Sequence, residues 1–166
     1  LYKLDFEIYD KPLQTIQYMR SRIRKAKRKY EGKQIIVFID YLTLIHAEGN
    51  YHSDHAKVSE ISARLKAIAK EYDCPVVTLA QLSRAVEQRN DKRPLLSDLR
   101  ESGSIEQDAD CVMFLYRDSY YNKETDNDNL EIIVAKHRDG PTGTVEVFYN
   151  KATGKMGDLH DHQRAV

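Results

Sequence analysis

No excess of either charge marks this chain. Its 26 Lys and Arg balance 26 Asp and Glu over 166 residues, which excludes a protein that coats duplex DNA by bulk charge and leaves only local nucleic-acid contacts. Long apolar runs are lacking too. The longest are the size of strands, so no segment is expected to span a membrane. No basic, apolar and small-residue leader opens the chain, and a cytoplasmic protein is the expectation. Cysteine is scarce: Cys74 and Cys111 each border an apolar run, which predicts two buried free thiols in a reducing compartment, with one disulfide as the alternative. A phosphate-binding loop of the form Gly-x-x-x-x-Gly-Lys-Ser/Thr is also missing. The two Gly-Lys pairs, Gly32-Lys33 and Gly154-Lys155, continue into Gln34 and Met156 and lack the earlier glycine.

What is present is length enough for one domain with a sizeable core. The stretch Ile35 to Tyr41, Ile-Ile-Val-Phe-Ile-Asp-Tyr, reads as a strand buried on both faces with a carboxylate at its carboxyl end. Open α/β sheets place their chemistry there. Asp40 is therefore a candidate to hold a hydrated Mg²⁺, which keeps most of its waters and needs only one or two carboxylates. Alternatively it ends the strand and caps the next turn.

Either side of this strand the pattern alternates between strand and helix. Leu4, Phe6 and Ile8 interleave with Asp5 and Glu7, the period of a strand with one wet face. Thr15 is a candidate N-cap for a helix with apolar residues at Ile16, Met19, Ile23, Ala26 and Tyr30, stopped by Gly32. The helix's basic residues, Arg20 to Lys29, are read as a solvated face before a phosphate-binding one. Residues 46–55 form a polar loop. A second amphipathic helix carries Val58, Ile61, Leu65, Ile68 and Tyr72, and Val76 to Leu79 is a second buried strand. Strand-helix-strand connectivity makes the two strands parallel, so Gln81 reaches the edge where Asp40 emerges.

Later segments add a basic, exposed stretch from Arg84 to Arg93, then a loop and short helix leading into a strand over Cys111 to Tyr116. Arg117 to Asn129 reads as a solvated loop. Leu130 to Lys136 and Thr144 to Tyr149 alternate on either side of Asp139-Gly-Pro-Thr-Gly, a hairpin with Lys136 and Arg138 at its tip. From Asn150 an edge strand at most is expected, and 160–166 is a polar tail. His52, His55, His160 and His162 lack a second ligand cluster and read as surface histidines.

Four segments in order, Ile35 to Leu42, Val76 to Arg84, Asp98 to Asp118 and Ala135 to Thr144, resemble the carboxyl-terminal motor of DnaB-type replicative helicases. The likeness runs from about Leu4 to Leu159. It implies an α/β, RecA-like core in truncated form, mainly a parallel sheet flanked by helices with a carboxyl-terminal antiparallel hairpin. It further implies an ATP-dependent DNA helicase that works as a ring of identical subunits, hexameric by expectation, on single-stranded DNA, with a primase and a helicase loader as partners. Residue by residue, Asp40 resembles the Walker B aspartate that binds Mg²⁺ through water, and Gln81 a sensor of the γ-phosphate. Lys136 and Arg138 resemble the pair offered to the neighbouring subunit's nucleotide, with Arg138 as the arginine finger. Arg100, Glu101 and Gly103 match the loop that grips DNA, and Arg84 is a further DNA candidate. The Walker A loop would lie upstream, so 1–159 is expected to be the later part of a motor that alone neither binds ATP tightly nor hydrolyses it. Two other readings stand beside this one: a RecA-like ATPase that remodels DNA without unwinding it, and a non-enzymatic assembly module.

Overall fold

A computed structural model describes residues 5–99, 103–125 and 127–159. The chain forms two units, one up to Gln81 and one from Leu82.

The first unit is built on a strand-helix-strand repeat. Helix α1 spans Ile16–Lys29, and the Thr15 hydroxyl accepts from the Tyr18 N–H at its start. Gly32, at a φ of +78°, turns the chain away after it, a conformation only glycine adopts without strain. Strand β1, Val37–Ile39, pairs in parallel with β2, Val76–Thr78, and helix α2, Asp54–Glu71, capped by Ser53, makes the crossover. The two helices bury Ile16, Ile23, Val58, Ile61, Leu65 and Ile68, the positions that the three-and-four spacing marks. An Arg20–Glu71 ion pair at 2.8 Å and a bond from the Lys27 ammonium to the Asp73 carbonyl at 3.0 Å join α1 to the end of α2.

Three expectations fail in this unit. Strand β1 is not buried on both faces: Ile39 is in the core but Phe38 is 75% exposed, because the helices cover one side of the pair only. The same holds for β2, where Val77 and Leu79 are exposed. Residues 5–10 form no strand, since no described strand pairs with them. They are tied by charge instead, Asp5 to Lys33 at 2.8 Å and Glu7 to Lys29 at 2.6 Å. The Lys29 ammonium, with help from the Tyr9 hydroxyl, holds the Glu7 carboxyl down to about 2. On the basic face of α1, Arg24, Lys25, Arg28 and Lys29 are exposed as expected, while Arg22 stacks between Tyr9 and Tyr18, at 5.2 and 4.8 Å.

The second unit is a four-stranded antiparallel sheet in chain order, β3 (Cys111–Tyr116), β4 (Leu130–His137), β5 (Gly143–Tyr149) and β6 (Met156–Gly157). A short helix α3, Gly103–Asp108, leads into β3, and a four-residue helix α4, Asp118–Tyr121, follows it. The expected solvated loop after Arg117 thus begins as a helix. Strand β3 alternates strictly, with Val112, Phe114 and Tyr116 inside. Alternation puts Cys111 outside, so of the two free thiols only Cys74 is buried, against the expectation for both.

Arg84 to Arg93 is mostly exposed, as expected. Its start is a 3₁₀ turn, Arg84–Gln88, and two of its arginines are engaged within the unit. Arg89 donates both terminal nitrogens to the two Asp98 oxygens, each at 2.7 Å, and Arg93 grips Glu131 at 2.7 and 2.8 Å while lying over the Tyr116 ring. Asp98 is 3% exposed, accepts from the Leu95 N–H at 2.8 Å, and its carboxyl is held below its usual range first by Arg89. A buried carboxylate survives only with such partners.

Candidate functional site

The end of the parallel pair is set by its register. Ile39 faces Thr78, the Leu79 N–H donates to the Ile39 carbonyl at 3.0 Å, and the Leu42 N–H donates back to the Leu79 carbonyl at 2.9 Å. Asp40 and Gln81 therefore leave the sheet from the same end, Gln81 two residues beyond the level of Asp40, and both are exposed. Tyr41, not Asp40, is the N-cap residue of the following 3₁₀ turn, and no side chain caps it. The Asp40 carboxylate is thus presented outward at a strand end, where an oxygen ligand for a hard cation is available. Among the described residues no group of three or more His, Cys, Asp or Glu gathers around a point.

Lys136 and Arg138 come together in the second unit, but not on a bare hairpin tip. Between Val112 and Met113 the β3–β4 register slips, so that Val112 faces Lys136 while Met113 faces Val134. The bulge turns the end of β4 toward α3. There the Lys136 ammonium donates to the Glu106 and Gln107 carbonyls, and the Arg138 guanidinium donates to the Gln107 carbonyl at 3.4 Å and pairs with Asp110 at 3.1 Å. Carbonyls at a helix carboxyl terminus lack intrahelical donors and carry partial negative charge, which draws both cations. Lys136 is half-buried, and the Arg138 side chain is 49% exposed.

Of the expected DNA-gripping residues, Arg100 and Glu101 lie outside the described residues. Gly103 is exposed as the first residue of α3, and a Cβ added there would meet nothing within 4 Å. Packing among the described residues therefore does not require glycine at that point. Arg84 is exposed at the start of its 3₁₀ turn.

A feature not anticipated from the pattern is a cavity of about 340 Å³ in the second unit, walled by Val86, Tyr116, Arg117, Tyr120, Tyr121 and Tyr149 among others. Tyr116 and Tyr121 stack at 5.9 Å, Tyr120 meets Tyr121 edge-on at 4.9 Å, and Arg117 lies 5.2 Å over the Tyr149 ring. Burial, aided by the Asp118 carboxylate, pushes the Tyr116 hydroxyl up to about 12. Arg117 Nε is buried without a hydrogen-bond partner among the described residues. Flat rings beside a guanidinium suit a planar, electron-rich ligand. The available signal was the cluster Tyr116-Arg-Asp-Ser-Tyr-Tyr, aromatic and basic at the end of a strand.

The family model described as the DnaB-like helicase C terminal domain matches residues 1–158. The chain belongs to that family. Among curated relatives it is 52% identical to the replicative DNA helicase DnaB of Geobacillus stearothermophilus over 154 residues, covering 92% of this chain and 34% of the relative. It is 47% identical to the DnaB of Rickettsia bellii, covering 96% of this chain and 36% of that one. Of solved structures, one described as an ATPase domain superimposes with a TM-score of 0.85 at 52% identity, covering 88% of this chain and 52% of that one. A DnaB-like replicative helicase, described with its interactions with primase, gives 0.89 at 51% identity, covering 92% and 38%. This DnaB-family chain therefore has the α/β, RecA-like fold of helicase motor domains and spans about a third of the length of its curated relatives. Among the described residues no helix is long and apolar enough to cross a membrane.

Proposed function

We propose that this chain is the later part of the motor of an ATP-dependent replicative DNA helicase, working in the cytoplasm as a hexameric ring that moves along single-stranded DNA. The observation that carries this reading is the β1–β2 register, which brings Asp40 and Gln81 to one end of a parallel pair in a member of the DnaB-like family. Asp40 would hold Mg²⁺ through its waters, and the metal when bound would neutralise charge on the β- and γ-phosphates of ATP. Gln81, with an amide that both donates and accepts, senses whether the γ-phosphate is present. Lys136 and Arg138 serve the neighbouring subunit's nucleotide, Arg138 as the finger whose planar guanidinium matches a spread transition-state charge.

The tyrosine-walled cavity takes the base of a nucleotide, beside the Arg117 guanidinium that lies over the Tyr149 ring. Arg100 grips a DNA phosphate and Glu101 orients Arg100 or the next subunit. Backbone N–H groups near Gly103, where no Cβ intervenes, approach the DNA backbone, and Arg84 adds a phosphate contact. A primase and a helicase loader are the partners. With no Gly-x-x-x-x-Gly-Lys-Ser/Thr in its sequence, the 166-residue chain alone is expected to turn over no ATP.

The test is DNA-stimulated ATP hydrolysis and fork unwinding by the full-length protein, wild type against Arg138→Ala and Arg100→Ala. Arg138→Ala is expected to slow hydrolysis by about 10³-fold or more, and Arg100→Ala to remove the stimulation by DNA. Wild-type behaviour in both would overturn the residue roles.

A further inference from the structure

Helix α3 has an expected DNA contact at one end and both expected trans-acting cations at the other. Its first residue is Gly103; in its last turn the Glu106 and Gln107 carbonyls accept from Lys136 and Arg138. Just past the helix, Asp110 holds Arg138 twice. Its carboxylate pairs with the guanidinium at 3.1 Å, and its carbonyl accepts from the Arg138 N–H at 2.8 Å. The grip thus fixes both the backbone and the head of the same residue. The bulge opposite Val112 and Met113 lets β4 deliver Lys136 and Arg138 to this point, where a regular ladder would carry them along β3.

We propose that Asp110 is a positioning residue for Arg138, and that α3 is the mount that joins the finger to the expected DNA contact at Gly103. This rests on Arg138 being the finger. A guanidinium has five N–H donors in a fixed fork. The contacts to Asp110 and Gln107 engage its two terminal nitrogens, and the side chain stays half exposed, so donors remain for a phosphate while the fork is aimed. A lone arginine on a hairpin would sample many rotamers, and reacting groups displaced by about 1 Å lose about 10²-fold in rate. Asp110 removes that freedom. Because the mount is α3, a shift of the helix by DNA at Gly103 is carried to the finger without passing through the sheet.

The experiment compares Asp110→Asn, Asp110→Glu, Arg138→Ala and the double variant Asp110→Asn/Arg138→Ala in the full-length helicase, measuring kcat and KM for ATP with saturating single-stranded DNA and without it. Asp110→Asn is expected to lower the DNA-stimulated kcat about 10- to 100-fold with KM unchanged. Asp110→Glu, which keeps the charge, is expected to recover most of that loss. The double variant is expected to be no slower than Arg138→Ala alone, since a mount has nothing to position once the finger is gone. A slow Arg138→Ala with a wild-type Asp110→Asn, equal losses in Asp110→Asn and Asp110→Glu, or a double variant slower by the product of the two losses each overturns the positioning role and leaves the finger standing. A wild-type rate in Arg138→Ala overturns the finger itself, and the mount with it.

Discussion

Removing the Asp98 carboxylate should be among the most damaging single changes in the second unit. Asp98 is almost wholly buried, with a side chain 4% exposed, while Arg89 is 32% exposed, so the two partners are not equivalent. Breaking a buried ion pair costs about 3–5 kcal/mol when the remaining charge has no water. Arg89 has some access to water, which lowers the pair's share of the loss in Asp98→Ala to about 2–3 kcal/mol. The Leu95 N–H, which now donates to Asp98 at 2.8 Å, loses its acceptor and adds about 1 kcal/mol. A total of about 3–4 kcal/mol should lower the urea midpoint by roughly 1 M or more at ordinary slopes. Asp98→Asn, which retains an acceptor for Leu95, should lose about half of this. The pH dependence has a fixed sign. Because Arg89 depresses the folded carboxyl, its contribution is present above the unfolded value of about 3.9 and is lost as pH falls through the folded value. Wild type and Asp98→Ala should therefore converge as pH is taken from about 5 to about 2. A neutral-pH difference below about 1 kcal/mol, or one that does not shrink in acid, would refute the account of this pair.

Gly32→Ala is expected to cost about 1 kcal/mol, because a φ of +78° is strained for any Cβ although no described residue crowds it; thermal denaturation reads this directly. Thr15→Ala removes the acceptor for the Tyr18 N–H and should cost about 1 kcal/mol, with Thr15→Ser nearly neutral. Tyr116, pushed up to about 12 by burial, should not ionise at the ordinary tyrosine value of about 10. Since the unfolded chain ionises first, stability should fall between those values, and Tyr116→Phe should flatten the fall; phenolate absorbance across an alkaline titration is the check. Arg117→Ala in the full-length protein should weaken nucleotide binding without weakening binding to single-stranded DNA, measured by titration of each ligand.

The helices were legible because each has a cap and one apolar stripe: Thr15 with Ile16 and Ile23, Ser53 with Val58 to Ile68. The parallel pair followed from connectivity, and the hairpin from alternation on both sides of Asp139-Gly-Pro. Residues 5–10 show the limit of such patterns. Phe6 and Ile8 alternate with acids, but alternation fixes only which face is wet, and without a ladder partner the ion pairs of Asp5 and Glu7 decide the path. Apolar density misled at Phe38, since a run of five apolar residues does not say how many of its faces are covered. The site divides in the same way. Asp40 and Gln81 were marked as candidates by their places at strand ends, whereas Lys136 and Arg138 were marked only by the resemblance to the DnaB family. The grip of Arg93 on Glu131, 38 residues away, and the meeting of Tyr149 with the local cluster Tyr116, Tyr120 and Tyr121 around one cavity bring together side chains from distant segments, which no local period encodes.

The outer side of the β1–β2 pair has a practical consequence for anyone handling this chain in isolation. Ile36, Phe38, Val77 and Leu79 form an oily strip open to water, with exposures of 53%, 75%, 38% and 55%, on a sheet of only two strands whose outer backbone edges are unpaired among the described residues. Strips of this kind stick to each other and to fluorescent hydrophobic dyes. The isolated polypeptide should light up such a dye while still showing native circular dichroism, and should precipitate as it is concentrated. A Lys in place of Phe38 should keep it in solution.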